Sequence, residues 1–265
     1  MNESTGININ LQTYQPDAQL LQGRNILVTG AGDGIGRALA IGFARYGATV
    51  ILLGRKVKKL EAVYDEIEQA GYPQPAIYPL DLEKAQPAAF DQLADVMAEN
   101  FQHLDGLVQN AAILGQHSPM MAIEPLNWQQ VMQINLTAPF LITRACYPLL
   151  KAAPSASLIF SSDAVANHGR AYWGTYSVAK AGLDNLMQIL ADEWENNTSI
   201  RVNSLDSGPV LTWLRRQAFP GEEVESLPTP EDCLLPYLYL IDGQHHAIRG
   251  EHLTWDRQAF SLSNI

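Results

Sequence analysis

Residues 25–36 constrain the fold of this chain more than any other stretch. Their sequence, NILVTGAGDGIG, is an apolar segment with strand character that leads into four glycines and then into a helical pattern. Backbone without Cβ atoms can approach a ligand closely, and the first amides of a helix are unpaired donors at the positive end of its dipole. The stretch therefore predicts a strand, a tight turn and a helix that together bind a phosphate group.

The glycine spacing narrows this prediction. Thr29, Gly30, Gly34 and Gly36 fit the pattern T-G-x-x-x-G-x-G, whereas Ile35 stands where G-x-G-x-x-G would need its last glycine. A glycine-rich turn alone is weak support for a nucleotide site, because a tight turn without a ligand has the same composition. The interpretation needs a second motif.

The second motif is a tyrosine and a lysine four residues apart, Tyr176 and Lys180. The apolar pattern that follows predicts a helix, on which residues four apart share one face. An ammonium near a phenol favours the phenolate, so the pair predicts a Tyr176 pKa below the ordinary value of about 10 and a role in proton transfer. Taken alone, the spacing is better explained by a solvent-facing helix that carries an incidental tyrosine and lysine.

Composition limits the classes of function. The chain has 265 residues, is 47% hydrophobic and carries a formal net charge of −11. The charge argues against binding to nucleic acid or to an anionic membrane surface. Cys146 and Cys233 have no neighbours typical of metal ligands, and residues 1–6 show no signal peptide, so we expect a cytoplasmic protein without a metal site.

Strand patterns alternate with helical patterns along the chain. Strands are expected near residues 25–29, 48–53, 76–81, 104–110, 157–162, 199–205 and 250–255. Crossovers of this length predict an α/β fold of Rossmann type, doubly wound, with a seven-stranded parallel sheet and helices on both faces. Residues 1–20 are predicted to be an N-terminal arm, and residues 21–265 a single dinucleotide-binding catalytic domain.

Both motifs, in this order and separation, resemble the short-chain dehydrogenase/reductase family over nearly the whole chain. Asp81, the run Asn110-Ala111-Ala112 and Asn135 stand at further landmarks of that family. Residues 169–176 and Tyr14 resemble one enterobacterial oxidoreductase group within it. The resemblance implies hydride transfer between a nicotinamide cofactor and a small-molecule carbonyl or alcohol, and a homodimer or homotetramer.

The resemblance also implies site residues. Tyr176, Lys180, Ser162 and Asn135 would be catalytic, and residues 207–229 would form the substrate loop. The expected cofactor-binding residues are Thr29, Gly30, Asp33, Gly34, Ile35, Gly36, Arg55, Asp81, Leu82, Asn110, Ala111, Ala112, Tyr176, Lys180, Gly208 and Thr212. Gly208 and Thr212 keep the family spacing, although Pro209 lies on the other side of the glycine.

The end of the second parallel strand favours NADP over NAD. An NAD site usually places a carboxylate there, but Gly54 occupies the position and Arg55 follows, with lysines beyond it. Cations in the first turn of a helix oppose its dipole, which a bound 2′-phosphate would explain. Arg55 is the expected contact; the alternative is a solvated basic helix end.

The position of the family's catalytic serine is ambiguous. It normally lies 13 residues before the tyrosine, and counting back from Tyr176 without a gap reaches Asp163. A one-residue insertion in the intervening loop would instead give Ser162 the role, at little energetic cost. We favour Ser162. An ionised Asp163 would accept a hydrogen bond but not donate one, and its charge would raise the Tyr176 pKa.

Asn135 has a reading that does not depend on the resemblance. Pro139 lies four residues later in the same helical pattern and has no N–H, so the Asn135 carbonyl loses its usual helical partner. A carbonyl freed in this way can hold a water for a proton path, as the family resemblance also implies. A simple helix kink is the alternative.

Three functions are compatible with the sequence. The first is an NADP-dependent carbonyl reductase or alcohol dehydrogenase. The second, motivated by Asp163 and the altered turn at Gly208, is a catalytically weakened nucleotide-binding sensor or assembly subunit. The third, an isomerase or lyase on the same scaffold, is disfavoured because such relatives are usually longer.

Overall fold

The computed structural model describes residues 9–244 and 248–262. Its strands are β1 (Ile9–Asn10), β2 (Asn25–Thr29), β3 (Thr49–Gly54), β4 (Ala76–Pro79), β5 (Gly106–Gln109), β6 (Ala156–Ser161), β7 (Ile200–Asp206), β8 (His252–Trp255) and β9 (Ala259–Leu262). The α-helices are α1 (Gly34–Arg45), α2 (Val57–Gln69), α3 (Pro87–Asn100), α4 (Pro125–Met132), α5 (Ala138–Ala152), α6 (Gly174–Trp194), α7 (Trp213–Ala218) and α8 (Leu234–Ile241). A π-helical turn, Gln133–Thr137, joins α4 to α5.

The strands form one sheet in the order β1-β9-β8-β7-β6-β5-β2-β3-β4. Within strands β2 to β8, every neighbouring pair is parallel. Strand β9 pairs antiparallel with both β8 and β1. The strand order reverses between β2 and β5. In open α/β sheets this reversal opens a ligand crevice at the carboxyl ends of the strands.

The predicted fold class is confirmed, and the sheet has nine strands where seven were expected. All seven expected strands are present and parallel. The two further strands arise because the chain turns back after β8, where the Asp256 carboxylate accepts hydrogen bonds from the amides of Gln258 and Ala259 at 2.9 and 2.8 Å. The returning strand β9 then pairs with β1, in the segment expected to be an arm.

Helices cover both faces of the sheet, as its apolar strands require. On one face α1, α2 and α8 bury side chains such as Phe43 and Tyr237. On the other face α3, α5 and α6 bury Phe90, Ile142 and Met187. Burial on both faces explains why the central strands read as continuous apolar runs.

No helix within residues 9–244 and 248–262 is long and apolar enough to cross a membrane. Within the same two ranges, no cluster of three or more His, Cys, Asp or Glu side chains is arranged to hold a metal ion.

Candidate active site

The turn after β2 is tied to the end of β5 by Thr29. The Thr29 hydroxyl accepts hydrogen bonds from the amides of Asn110 and Ala111 at 2.9 and 3.0 Å, and donates to the Val108 carbonyl at 3.3 Å. The Asn110 side chain donates back to the Thr29 carbonyl at 3.2 Å. These bonds place the glycine turn and residues 110–112 at one edge of the sheet.

Two glycines in the turn are required by its geometry. Gly30 has a φ of +71°, which L side chains rarely adopt. A Cβ atom on Gly36 would lie 2.3 Å from the Gly30 carbonyl oxygen, so no other residue fits. The turn therefore brings bare backbone to the mouth of the crevice, which is what close approach to a pyrophosphate requires.

Asp33 modifies the predicted anion site. Its carboxylate accepts from the Gly34 amide at 2.9 Å and forms an ion pair with Lys59. The hydrogen bond from Lys59 lowers the pKa of Asp33 below its ordinary value. One of the helix-start amides is thus already paired, so a cofactor phosphate would use the other donors of the turn or displace this carboxylate.

A cleft of about 650 Å³ runs from the glycine turn along the carboxyl ends of the strands. It brings together most of the expected site residues. Those lining it are Gly30, Asp33, Gly34, Ile35, Arg55, Asp81, Leu82, Asn110, Ala111, Ala112, Ser162, Tyr176, Lys180, Gly208 and Thr212. Arg55 lies at the adenine-side end expected for a 2′-phosphate, and Glu83 pairs with it at 3.6 Å.

Tyr176 and Lys180 share one face of α6 and are 4% and 3% exposed. The Lys180 ammonium donates to the Ser161 carbonyl at the end of β6, at 2.5 Å, and lies 5.6 Å from the centroid of the Tyr176 ring. Burial of Lys180 lowers its pKa, while the carboxylates of Asp163, Asp184 and Asp206 oppose that change.

Asp163, and not Ser162, faces the Tyr176 hydroxyl. That hydroxyl donates to the Asp163 carboxylate at 3.3 Å, whereas the Ser162 hydroxyl donates to Asp184 at 2.7 Å. The expectation that Ser162 stands beside Tyr176 is therefore corrected by the geometry. The reason is that the backbone stays extended through Ser162, whose amide bonds to the Leu205 carbonyl at 2.8 Å, and successive side chains of extended backbone point to opposite sides.

The expected lowering of the Tyr176 pKa is also wrong for this arrangement. Burial of the phenol is the largest cause and raises its pKa well above 10; the Asp163 charge and hydrogen bond raise it further, as does Asp206. A phenolate here would lose its hydration and lie beside a carboxylate. The neighbouring ammonium of Lys180 does not outweigh these effects.

Asp184 is a residue that the sequence interpretation missed. It lies one turn beyond Lys180 on α6, is buried, and contacts the Nδ1 atom of His252 on β8 at 2.9 Å. The Ser204 hydroxyl lies 2.9 Å from the same nitrogen. The spacing of Tyr176, Lys180 and Asp184 at i, i+4 and i+8 is the signal that could have found it.

Asn135 lies in the π-helical turn and uses its side chain structurally. Its amide group donates to the Ile113 carbonyl at 2.8 Å, and its side-chain oxygen accepts from the Ile113 amide at 2.9 Å. Pro139, expected inside one helix, instead lies in the first turn of α5, after the π-helical turn. Proline is well tolerated in a first turn, and it still has no N–H to offer the Asn135 carbonyl.

Residues 207–229 fold back over the glycine turn. Thr212 caps α7, its hydroxyl accepting from the Arg215 amide at 3.2 Å. A Cβ atom built on Gly34 would lie 3.3 Å from the Thr212 methyl group, so this segment contacts the turn directly. Gly208, with a φ of +65°, donates its amide to the Asp206 carboxylate at 2.8 Å.

Sequence comparison identifies the class of protein that this fold and site define. The short chain dehydrogenase family matches residues 24–223, and the chain belongs to that family. The family consists of oxidoreductases that bind NAD or NADP, and this chain is accordingly an oxidoreductase.

Particular relatives are similar over most of the chain. The uncharacterized oxidoreductase YciK of Escherichia coli K12 is 43% identical over 245 residues, which cover 92% of this chain and 96% of YciK. The crystal structure of a short-chain dehydrogenase from Salmonella enterica serovar Typhi CT18 is 44% identical, with a TM-score of 0.89, and covers 91% of this chain and 99% of that one. A short-chain dehydrogenase from Escherichia coli CFT073 in complex with NADPH is 42% identical, with a TM-score of 0.88 and coverage of 90% and 99%.

Proposed function

We propose that the chain catalyses NADPH-dependent reduction of a carbonyl compound, or the reverse oxidation of the alcohol, with Tyr176 as the proton-transferring residue. One observation carries the proposal: the Tyr176 hydroxyl and the Lys180 ammonium lie together at the wall of the cleft that begins at the glycine turn. A buried phenol and a buried ammonium at the wall of this cleft are better explained by acid–base catalysis than by packing.

The residues present fit a dinucleotide. Bare backbone at Gly30 and Gly34 would face the pyrophosphate, and Asp81, Leu82 and residues 110–112 would line the adenine and ribose. At the end of β3, Gly54 occupies the position where an NAD site would place a carboxylate, and Arg55 follows it. The relative solved with NADPH supports the phosphorylated cofactor. Gly208 and Thr212 would close the nicotinamide end.

In the proposed reaction the bound nicotinamide supplies a hydride to the carbonyl carbon. Tyr176 gives its hydroxyl proton to the oxygen that becomes the alcohol, and the reverse reaction returns both. Lys180, fixed on the Ser161 carbonyl, stabilises the phenolate that forms. The Asn135 backbone carbonyl, without a donor from Pro139, is proposed to anchor a water that returns the proton to the site.

Asp163 takes the family's serine position in this proposal. As a carboxylate it accepts a hydrogen bond from an alcohol and cannot donate one to a carbonyl, so it favours binding of the alcohol. Ser162 is left with a positioning role through its bond to Asp184. We also propose that residues 207–229 form the substrate loop and that the enzyme is a cytoplasmic homodimer or homotetramer, which light scattering of the purified protein would check.

A second candidate, a nucleotide-binding sensor with weakened catalysis, is favoured by one observation. Burial, and then the Asp163 carboxylate, raise the pKa of the proposed proton donor well above its ordinary value. Such a protein would bind NADPH and respond to it without turning over substrate.

The test combines binding with turnover. We expect calorimetry to show tighter binding of NADPH than of NADH, and a panel of aldehydes and ketones to consume NADPH. Tyr176→Phe should reduce kcat by about 10²–10⁴-fold while cofactor binding persists, and Tyr147→Phe, on α5, serves as the matched control. Tight NADPH binding with no carbonyl reduced or alcohol oxidised would favour the sensor, and failure to bind either nicotinamide nucleotide would end both proposals.

A further inference from the structure

Aromatic rings from three separate segments meet around Tyr176. Trp173 lies at the centre: its ring centroid is 5.8 Å from that of Tyr176, 5.7 Å from Phe219 and 5.5 Å from His117. His117 follows β5, Trp173 precedes α6 and Phe219 follows α7. Of these rings, Trp173 and Tyr176 line the cleft, and an aromatic wall beside the proton donor favours flat apolar ligands.

The surface beneath these rings is apolar. Leu114, Val165 and Ala218 are buried in one cluster with Tyr176, and the partly exposed Trp173 packs against them. The reacting hydroxyl therefore stands at the border of an apolar patch, and a hydrocarbon group next to a carbonyl would gain by covering it.

The residue before Trp173 has an unusual backbone conformation. Tyr172 has a φ of +73°, in the left-handed region that a bulky residue rarely adopts, yet its ring is more than half exposed. Its ring centroid lies 6.4 Å from that of His117. Such strain persists where surrounding structure fixes it, and it concentrates at ligand sites.

At this end of the cleft the Lys180 ammonium is surrounded by several carboxylates, which disfavours an anionic substrate. Asp163 is hydrogen-bonded to Tyr176, and Asp206 is buried nearby. Arg215 lines the same cleft, but its Nε and Nη2 atoms donate to the Glu222 carboxylate at 2.7 and 2.5 Å, and its guanidinium lies 3.8 Å from the Phe219 ring centroid. Because Glu222 already pairs with Arg215, this guanidinium is not free to bind an acidic substrate.

From these contacts we infer the substrate class: an uncharged carbonyl compound, or its alcohol, whose reacting carbon is attached to an aromatic or other flat apolar ring. The inference rests on the proposed oxidoreductase function and deepens it. Trp173 contacts the ring, with Leu114 and Ala218 lining the cleft beside it. The Arg215–Glu222 pair and Asp163 exclude substrates that carry a carboxylate or phosphate.

Three aldehydes separate the contributions of ring and charge. With the full chain and NADPH, we expect kcat/KM for benzaldehyde to exceed the values for propanal and for 4-carboxybenzaldehyde by about tenfold or more. Propanal lacks the ring that would contact Trp173, and 4-carboxybenzaldehyde adds a carboxylate that the site would repel. Trp173→Ala should lower the value for benzaldehyde by about tenfold and leave propanal within about threefold.

Freeing Arg215 gives a second, independent variant. Glu222→Gln removes the partner carboxylate and should raise kcat/KM for 4-carboxybenzaldehyde relative to benzaldehyde by about fivefold or more. Glu193→Gln, an exposed glutamate at the opposite end of α6 from Tyr176, is the matched control and should leave the ratio unchanged.

If turnover is slow, the affinity of alcohols for the protein–NADP⁺ complex tests the substrate class directly. Calorimetry of the protein–NADP⁺ complex should show binding of benzyl alcohol, weaker binding to the Trp173→Ala variant, and no binding of 4-carboxybenzyl alcohol. Preference for propanal or for the carboxylated compounds, in rate or in binding, overturns the substrate class while leaving the oxidoreductase function in place. Absence of turnover with every carbonyl counts against the proposed function, and the binding comparison then decides the substrate class on its own.

Discussion

At position 163 a carboxylate lies 3.3 Å from the phenol oxygen that we propose as proton donor. The same carboxylate accepts from the Val165 amide at 3.1 Å, which caps the short helix Ala164–Ala166. Its position is therefore fixed by local backbone as well as by Tyr176. A residue held from both sides exerts a constant electrostatic effect on the donor.

Replacement of Asp163 by serine should move the pH profile of reduction. Reduction needs the protonated phenol and fails when pH rises through the Tyr176 pKa. Burial and then Asp163 raise that pKa, so the wild-type rate should stay level into the alkaline range, and Asp163→Ser should lose activity at a lower pH. The measurement is kcat/KM for NADPH oxidation against pH.

Ser162→Ala is the matched control for this change. The Ser162 hydroxyl is held by Asp184 on the side away from Tyr176, so we expect the pH profile of Ser162→Ala to match the wild type. The rate should fall by no more than about tenfold, since only one hydrogen bond is lost. An unshifted profile for Asp163→Ser, or abolished activity for Ser162→Ala, would return the serine role to residue 162.

Arg55 is the residue expected to favour NADPH over NADH. A charge-assisted contact to a 2′-phosphate is worth about 1.5–3 kcal/mol, so Arg55→Ala should weaken NADPH binding by about 10–100-fold and leave NADH binding nearly unchanged. Lys58, which is exposed in the first turn of α2, provides the control. Lys58→Ala should change the affinity for neither nucleotide by more than a small factor. Equal weakening of both nucleotides would contradict the assignment.

Sequence spacing could predict the Tyr176–Lys180 pair because the period of a helix fixes which side chains share a face. It could not decide between Ser162 and Asp163, since that choice depends on how far the extended backbone of β6 continues. It also missed the raised Tyr176 pKa, because burial is a property of the assembled site.

At the scale of single elements, the π-helical turn between α4 and α5 organises the loop after β5. Asn135 satisfies both backbone groups of Ile113 from within this turn. The Pro139 carbonyl accepts from the Gln109 side chain at 3.2 Å, which ties the start of α5 to the end of β5. The position of the loop along the cleft thus depends on a short irregular element.

Asn135→Ala should destabilise the protein by about 1–3 kcal/mol, because two partly buried backbone groups would lose their partners. Urea unfolding followed by circular dichroism measures this loss. Asn100→Ala, exposed at the end of α3, should change stability by less than about 0.5 kcal/mol. A mild effect at Asn135 would mean that water replaces the side chain at Ile113.

Pro139 illustrates why element boundaries escaped the sequence interpretation. Its place relative to Asn135 was read as a proline inside one helix, and the missing N–H was deduced correctly from chemistry alone. The π-helical turn that moves Pro139 into a first turn leaves no trace in the apolar pattern, because its residues remain helical in their spacing.

At the scale of the whole molecule, the segment before β2 is integrated with the rest of the fold. Leu11 is 1% exposed and packs in the same apolar cluster as Phe260. The Leu11 amide donates to the Gln258 carbonyl at 2.9 Å. The sequence pattern in this segment is polar and short, so neither its pairing with β9 nor its buried leucine could be predicted locally.

Leu11→Ala tests this integration. Truncation of a fully buried leucine costs about 2–5 kcal/mol, and we expect a loss of unfolding free energy in this range with NADPH affinity preserved. Gln12→Ala, whose side chain is exposed, should have little effect. Stability unchanged by Leu11→Ala would show that residues 9–20 act as a detachable arm.

The seven parallel strands were predictable because each buried strand is an apolar run followed by a helical pattern, and crossovers admit few topologies. The antiparallel strands β1 and β9 were not predictable, because their pairing depends on the turn at Asp256 and on contacts between distant parts of the chain. The fold class follows from local periodicity, and the outer strands follow from tertiary pairing.

The order of the strands also governs how copies of the chain can meet. In the part of the chain that the structure describes, the outermost strands are β1, with two residues, and β4, with four residues ending at Pro79. Border strands this short, one of which ends in proline, offer few free backbone groups to a strand from another molecule. Self-association by lengthening the sheet is therefore discouraged, and any assembly would have to form through helices and loops.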